Sequence, residues 1–154
     1  MSSTRIARHV DAPRAEIYRL LLDADAVAAW MLPDGIQGVV HRFEPQEGGG
    51  FSITADFAGE TPGSDPQHDA YYGRFVSLVP DERVIEKLEF VTTRAELAGE
   101  MTVSFVLADA VGGGTNLLVV HDDVPAGLSE EDNEAGWRAA LDKLTALAER
   151  GAAR

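Results

Sequence analysis

The sequence predicts an α+β fold in which a curved antiparallel sheet of seven strands wraps around one long C-terminal helix. Three observations carry that expectation. Apolar residues recur at period two through six segments between residues 38 and 121. Turn-like stretches join most of them: Glu47-Gly48-Gly49-Gly50, Pro80-Asp81-Glu82 and Gly112-Gly113-Gly114. Such short connections make antiparallel hairpins. After Ser129 the apolar period becomes helical and stays so to residue 148. A chain of 154 residues with 45% apolar content is expected to form a single domain, 1–154, with one core.

Each element has its own local reason. Residues 4–10 read as a strand, with Ile6, Arg8 and Val10 on one face. Asp11-Ala12-Pro13 follows, and proline suits a first helical position because its missing N–H would have no partner there. Ile17, Leu20 and Leu21 then mark a short helix over 13–22. A second, over 24–31, carries Val27, Trp30 and Met31 and is stopped by Pro33-Asp34-Gly35. Strands are expected at 38–45, 50–58, 70–79, 83–92, 100–108 and 114–121. The segment 59–69 is polar and holds two prolines, so it reads as a loop and a gate. Ser129 is a good N-cap, and Glu130, Glu131 and Asp132 suit the positive end of a helix dipole. Trp137, Ala140, Leu141, Leu144, Leu147 and Ala148 form one apolar face, and Arg150 suits the last turn. Two short helices cannot cover a helix of this length, so the sheet must curve around it.

Composition excludes several functions. The absence of cysteine removes disulfides, thiolate metal sites and cysteine nucleophiles. His9, His41, His68 and His121 show no metal-binding spacing, so neither a metal nor a cofactor is expected. The glycine runs lack the ending of a phosphate-binding loop, and no serine lies in a nucleophile elbow. No catalytic residue is assigned. A net charge of −13 disfavours nucleic acid and anionic membranes. No apolar run suits a signal peptide or a membrane span, so a cytoplasmic location is expected.

Strand parity supplies the site candidates. In 70–79 the face of Val76 and Leu78 also holds Tyr72 and Arg74. In 83–92 the face of Val84, Leu88 and Phe90 also holds Glu86. In 100–108 Met101, Val103, Phe105 and Leu107 point inward, and His121 ends the last strand on the face of Leu117 and Val119. If Leu78 pairs with Val84, Arg74 and Glu86 become diagonal neighbours and a buried ion pair is expected. Trp137 and Leu141 lie on the inner helix face, and Trp30 lies beside the expected cavity mouth. The candidate ligand-binding residues are therefore Trp30, Tyr72, Arg74, Glu86, Phe105, His121, Trp137 and Leu141. The opposite parity is unusually apolar (Phe75, Val79, Ile85, Val91, Val106, Leu118, Val120). A second copy covering that face as a homodimer is the expectation.

Local words add a resemblance. They are Asp11-Ala12-Pro13, Trp30-Met31 with Pro33-Asp34-Gly35, Gly48-Gly49-x-Phe51, and GRFVSLVPDERVIEKLEF at 73–90. Further along come GEM at 99–101, GGT at 113–115, VPAGL at 124–128, EDNEAGW at 131–137 and LDKL at 141–144. In this order the chain resembles the SRPBCC (START/Bet v 1-like) superfamily, in the branch similar to the C-terminal domain of activators of Hsp90 ATPase. It departs from that branch at Gln46, where many relatives are basic, and at 91–98, which lacks an Asp-Pro. The resemblance implies the helix-grip fold. It also implies a choice among lipid and hormone binding, polyketide cyclisation and a co-chaperone role. The expected function is binding of a small apolar or aromatic molecule in an apolar cavity between helix and sheet. The alternatives are a polyketide cyclase-like enzyme, with Glu86 or His121 as acid or base, and an Hsp90-activator-like interaction module that meets a chaperone.

Overall fold

A computed structural model describes residues 2–31, 37–56, 70–91 and 94–152. The order is β1 (Ser2–Val10), α1 (Arg14–Leu21), α2 (Ala24–Trp30), β2 (Gln37–Phe43), β3 (Gly50–Asp56), β4 (Ala70–Val79) and β5 (Arg83–Phe90). A short 3-10 turn (Ala95–Leu97), β6 (Met101–Asp109), β7 (Thr115–Val124) and α3 (Glu130–Ala152) complete it. The strands form one seven-stranded sheet in the order β1-β7-β6-β5-β4-β3-β2, antiparallel throughout. The expected loop at 59–69 and the stop at Pro33-Asp34-Gly35 lie outside the described residues.

The helix starts follow from their caps. Pro13 is extended at the N-cap of α1, so the helix begins one residue later than the proline signal suggests. Asp23 caps α2 by accepting from the Ala26 N–H, and Ser129 caps α3 by accepting from the Asp132 N–H at 3.1 Å. Glu130, Glu131 and Asp132 occupy the first turn of α3 and Arg150 the last.

The sheet's inner face holds Met101, Val103, Phe105 and Leu107 on β6, and Leu117, Val119 and His121 on β7, all buried. Although β7 shifts register with β1 beyond His121, both strands alternate strictly over these residues. β4 does not. Leu78 pairs with Val84 as expected, but the register shifts between Phe75 and Ser77, and Phe75, not Val76, sits opposite Glu86. Val76 is the extra residue of a β-bulge. Because side chains alternate with period two, one extra residue moves everything before it to the other face. Tyr71 and Phe75 are therefore buried, while Tyr72, Arg74 and Val76 face outward. The expected buried Arg74–Glu86 pair does not form. Arg74 instead meets Glu100 across the outer face at 2.9 Å. The outer apolar set changes accordingly, with Phe75 leaving it and Val76, 42% exposed, joining it.

Gly73 lies between Tyr71 and Phe75 on the inner face of β4. A Cβ there would stand 2.1 Å from the Lys87 carbonyl oxygen and 2.8 Å from the Leu88 Cα. Only glycine lets β5 approach this closely.

Helix α3 comes closest to β1, α1 and α2, and not to the middle strands. Leu141, Leu144 and Ala148 of its central and C-terminal turns are fully buried in that packing. Its N-terminal half carries Ala135, Gly136, Ala139 and Ala140, which are too small to fill the distance to β5 and β6. No helix among the described residues is long and apolar enough to cross a membrane.

Candidate functional site

That shortfall leaves a cleft of about 600 Å³ between the first half of α3 and the middle of the sheet. Leu88, Phe90, Met101, Val103 and Tyr71 line the sheet side, and Trp137 lines the helix side with its small neighbours. Asp132 and Lys143 add charge to the lining from α3.

One polar network is built into the wall. The Trp137 indole N–H donates to His121 Nδ1 at 3.0 Å, and Asn133 Nδ2 approaches the same nitrogen at 3.1 Å. Asn133 also donates to Thr4 Oγ1 at 3.0 Å, which ties α3 to β1. With two N–H groups aimed at Nδ1, that nitrogen carries no proton. The proton is therefore on Nε2, which faces Met101 Sδ at 3.1 Å. Burial disfavours the charged ring and lowers the His121 pKa to about 4. His121 is thus a neutral imidazole of one tautomer, with its free lone pair already engaged.

A second, much smaller void of about 10 Å³ lies behind the cleft, among Trp30, Phe43, Phe51, Phe75 and Phe105. Tyr71 and Met31 line both spaces and form the partition between them. Glu86 lines the void, and no hydrogen bond or ion pair reaches its carboxyl among the described residues. Desolvation raises its pKa to about 8, so the acid is largely neutral at pH 7. The Tyr71 hydroxyl is shielded from solvent and has no hydrogen-bond partner among the described residues. Burial, and then the neighbouring Glu86 carboxyl, push its ionisation well above the ordinary phenol range.

The eight sequence candidates separate on this map. His121 and Trp137 meet in the cleft wall. Glu86 lies in the adjoining void. Trp30 and Phe105 are core residues that line only the small void. Phe105 packs edge-on against Trp30 at 6.1 Å and against Trp137 at 5.9 Å, and the Trp30 N–H donates to the Leu20 carbonyl. Leu141 is wholly buried and does not line the cleft. Tyr72 and Arg74 are on the outer face, where the Tyr72 hydroxyl donates to Glu89. Sequence reasoning missed Tyr71 and Asn133. Asn133 was legible, since it stands four residues before Trp137 on the inner stripe of α3. Tyr71 was not, because only the bulge decides which of two adjacent tyrosines turns inward. Among the described residues no group of three or more metal-ligating side chains comes together.

A curved antiparallel sheet gripping one long C-terminal helix, with a cleft opening between them, defines a helix-grip protein of the SRPBCC class. Within that class the chain belongs to the family of Activator of Hsp90 ATPase homolog 1-like proteins, whose family model matches residues 11–149. Solved structures agree on the fold. A protein of Chromobacterium violaceum is 29% identical, with a TM-score of 0.82 over 97% of this chain and 99% of that one. A protein of Mesorhizobium loti is 17% identical, with a TM-score of 0.77 over 97% and 98% of the two chains. A protein of the dynemicin biosynthetic locus is 20% identical, with a TM-score of 0.67 over 99% of this chain and 49% of that one. The comparison with curated proteins finds no match.

Proposed function

We propose that this protein binds a small, flat, mainly apolar molecule in the cleft between α3 and the sheet. The observation that carries the reading is the pairing of small helix residues (Ala135, Gly136, Ala139, Ala140) with large apolar ones (Leu88, Phe90, Met101, Val103) across about 600 Å³. Ligand sites are commonly about 300–1,000 Å³ and mostly apolar, with a few fixed polar groups. Trp137 offers a ring face or edge to a flat ligand, and its N–H is already committed to His121.

Binding is favoured over cyclase-like turnover by the state of the two candidate acid–base groups. A general base needs a free lone pair in reach of the substrate proton. His121 Nδ1 is engaged by Trp137 and Asn133, and Glu86 lines the small void rather than the cleft. An unfilled interior likewise favours a ligand binder over a pure protein-interaction module.

The test uses N-phenyl-1-naphthylamine, a neutral fluorophore that brightens in apolar sites. Gly136 lines the cleft, and a Cβ built on it meets nothing within 4 Å. Gly136→Trp should therefore fill the cleft while gaining about 0.5 kcal/mol of helix propensity. The wild type should bind the fluorophore and the variant should not, with the melting temperature preserved. Equal binding by both proteins would refute the cleft as the site. Native mass spectrometry of freshly purified protein should also reveal any small molecule carried along.

A further inference from the structure

The ligand class can be narrowed, on the reading that the cleft binds a small molecule, from the groups at its inner end. A buried hydroxyl without a partner is unusual, because leaving it unpaired costs most of its desolvation penalty. Tyr71 has such a hydroxyl, in a residue only 8% exposed. The Tyr71 side chain lines both the cleft and the small void, and Glu86 lines the void. The void's 10 Å³ is at the lower limit for one water molecule. The remaining partition residue, Met31, is unbranched and the side chain best suited to changing shape as a ligand enters.

We infer that the cleft and the void are two parts of one binding site, and that the Tyr71 hydroxyl and the Glu86 carboxyl at its inner end receive the carbonyl oxygen of an otherwise apolar aromatic ligand. The donor and acceptor count selects the carbonyl. Tyr71 has one O–H to give. Glu86, kept neutral by its apolar surroundings, also has an O–H to give. A carbonyl oxygen carries two lone pairs and no proton, so it matches two donors. A hydrocarbon satisfies neither donor. A carboxylate ligand would bring a charge into an apolar space within a protein of net charge −13. The hydroxyl without a protein partner among the described residues is then the group that the ligand satisfies.

The experiment compares two probes of similar size, 1-acetonaphthone and 1-ethylnaphthalene, which differ in the carbonyl. Their dissociation constants are measured by displacement of N-phenyl-1-naphthylamine from the full chain. Tyr71→Phe should weaken the ketone about three- to tenfold, the worth of one hydrogen bond, and leave the hydrocarbon unchanged. The same variant should melt no lower than the wild type, because the hydroxyl it removes had no partner to lose. Glu86→Leu removes the second donor and should weaken the ketone selectively as well, which keeps the idea testable should Tyr71→Phe fold poorly. Equal effects on both probes, or none on either, would overturn the carbonyl assignment while leaving the cleft as a ligand site. Failure of both probes to bind the wild type would overturn the ligand-site reading and this inference with it.

Discussion

Replacing Glu86 by Gln should make the protein more stable at alkaline pH than the wild type, and the gain should grow with pH. The cause is the cost of ionising a carboxyl in an apolar void. In the fold its pKa is about 8, against an ordinary value of 4.5. The folded value is the higher one, so between these limits the folded state binds more protons than the unfolded state. The contribution is fully present below pH 4.5, falls as pH rises toward 8, and levels off above it. The two values are about 3.5 pH units apart, and at ~1.4 kcal/mol per unit this sets a ceiling of about 5 kcal/mol. Near pH 8 about 4 kcal/mol of that would already be lost. Glu86 keeps some accessible surface, which reduces the figure, so a gain of about 2–4 kcal/mol is expected. The assay is urea unfolding of both proteins at several values between pH 4.5 and 9. The difference between them cancels the general effect of a net charge of −13 and the titration of His121. A difference that stays flat with pH would refute the buried, unpaired carboxyl. A difference of opposite slope would mean that Glu86 is ion-paired after all, as the Arg74 pairing would have required.

Other expectations follow from single features. Gly73→Ala should destabilise the fold by about 3 kcal/mol in the same unfolding assay, because its Cβ would collide with β5 backbone that cannot move aside. Arg74→Ala should leave the melting temperature unchanged, since Arg74 belongs to an exposed pair with Glu100. For His121 the folded pKa of about 4 lies below the ordinary 6.5, so its contribution is present above pH 6.5 and lost as pH falls toward 4. That loss should reach about 3 kcal/mol, and ring nitrogen NMR shifts should report a neutral Nε2–H tautomer until near the acid transition. Asn133→Ala should cost about 1–2 kcal/mol, because Thr4 Oγ1 then loses its buried donor.

Most of the fold is legible in the sequence because its signals are local. The helical stripe from Trp137 to Ala148, the Ser129 cap and the alternation of 101–107 and 117–121 each depend on neighbours a few residues away. The hairpin between β4 and β5 is legible at its turn, where Leu78 stands opposite Val84. The site was less legible. His121, Trp137 and Glu86 face the interior, as the parity of strands and helices that keep their period predicts. Extending the parity of Leu78 back through Val76 turns Tyr72 and Arg74 inward, but the bulge breaks that parity.

The sequence by itself determines which segments become strands and helices, their order, and the apolar stripe that α3 must bury. Period two and period 3.6 are properties of the chain's own backbone. The tertiary structure alone decides which of Tyr71 and Tyr72 faces inward, where α3 rests on the sheet, and which nitrogen of His121 is left to accept hydrogen bonds. Each depends on a partner far away in the chain: β5 across the bulge, β1 and α1 under the helix, and Asn133 and Trp137 beside the imidazole. A one-residue insertion costs little in local propensity, yet it turns over every side chain on one side of it, and only the packing of both faces selects it.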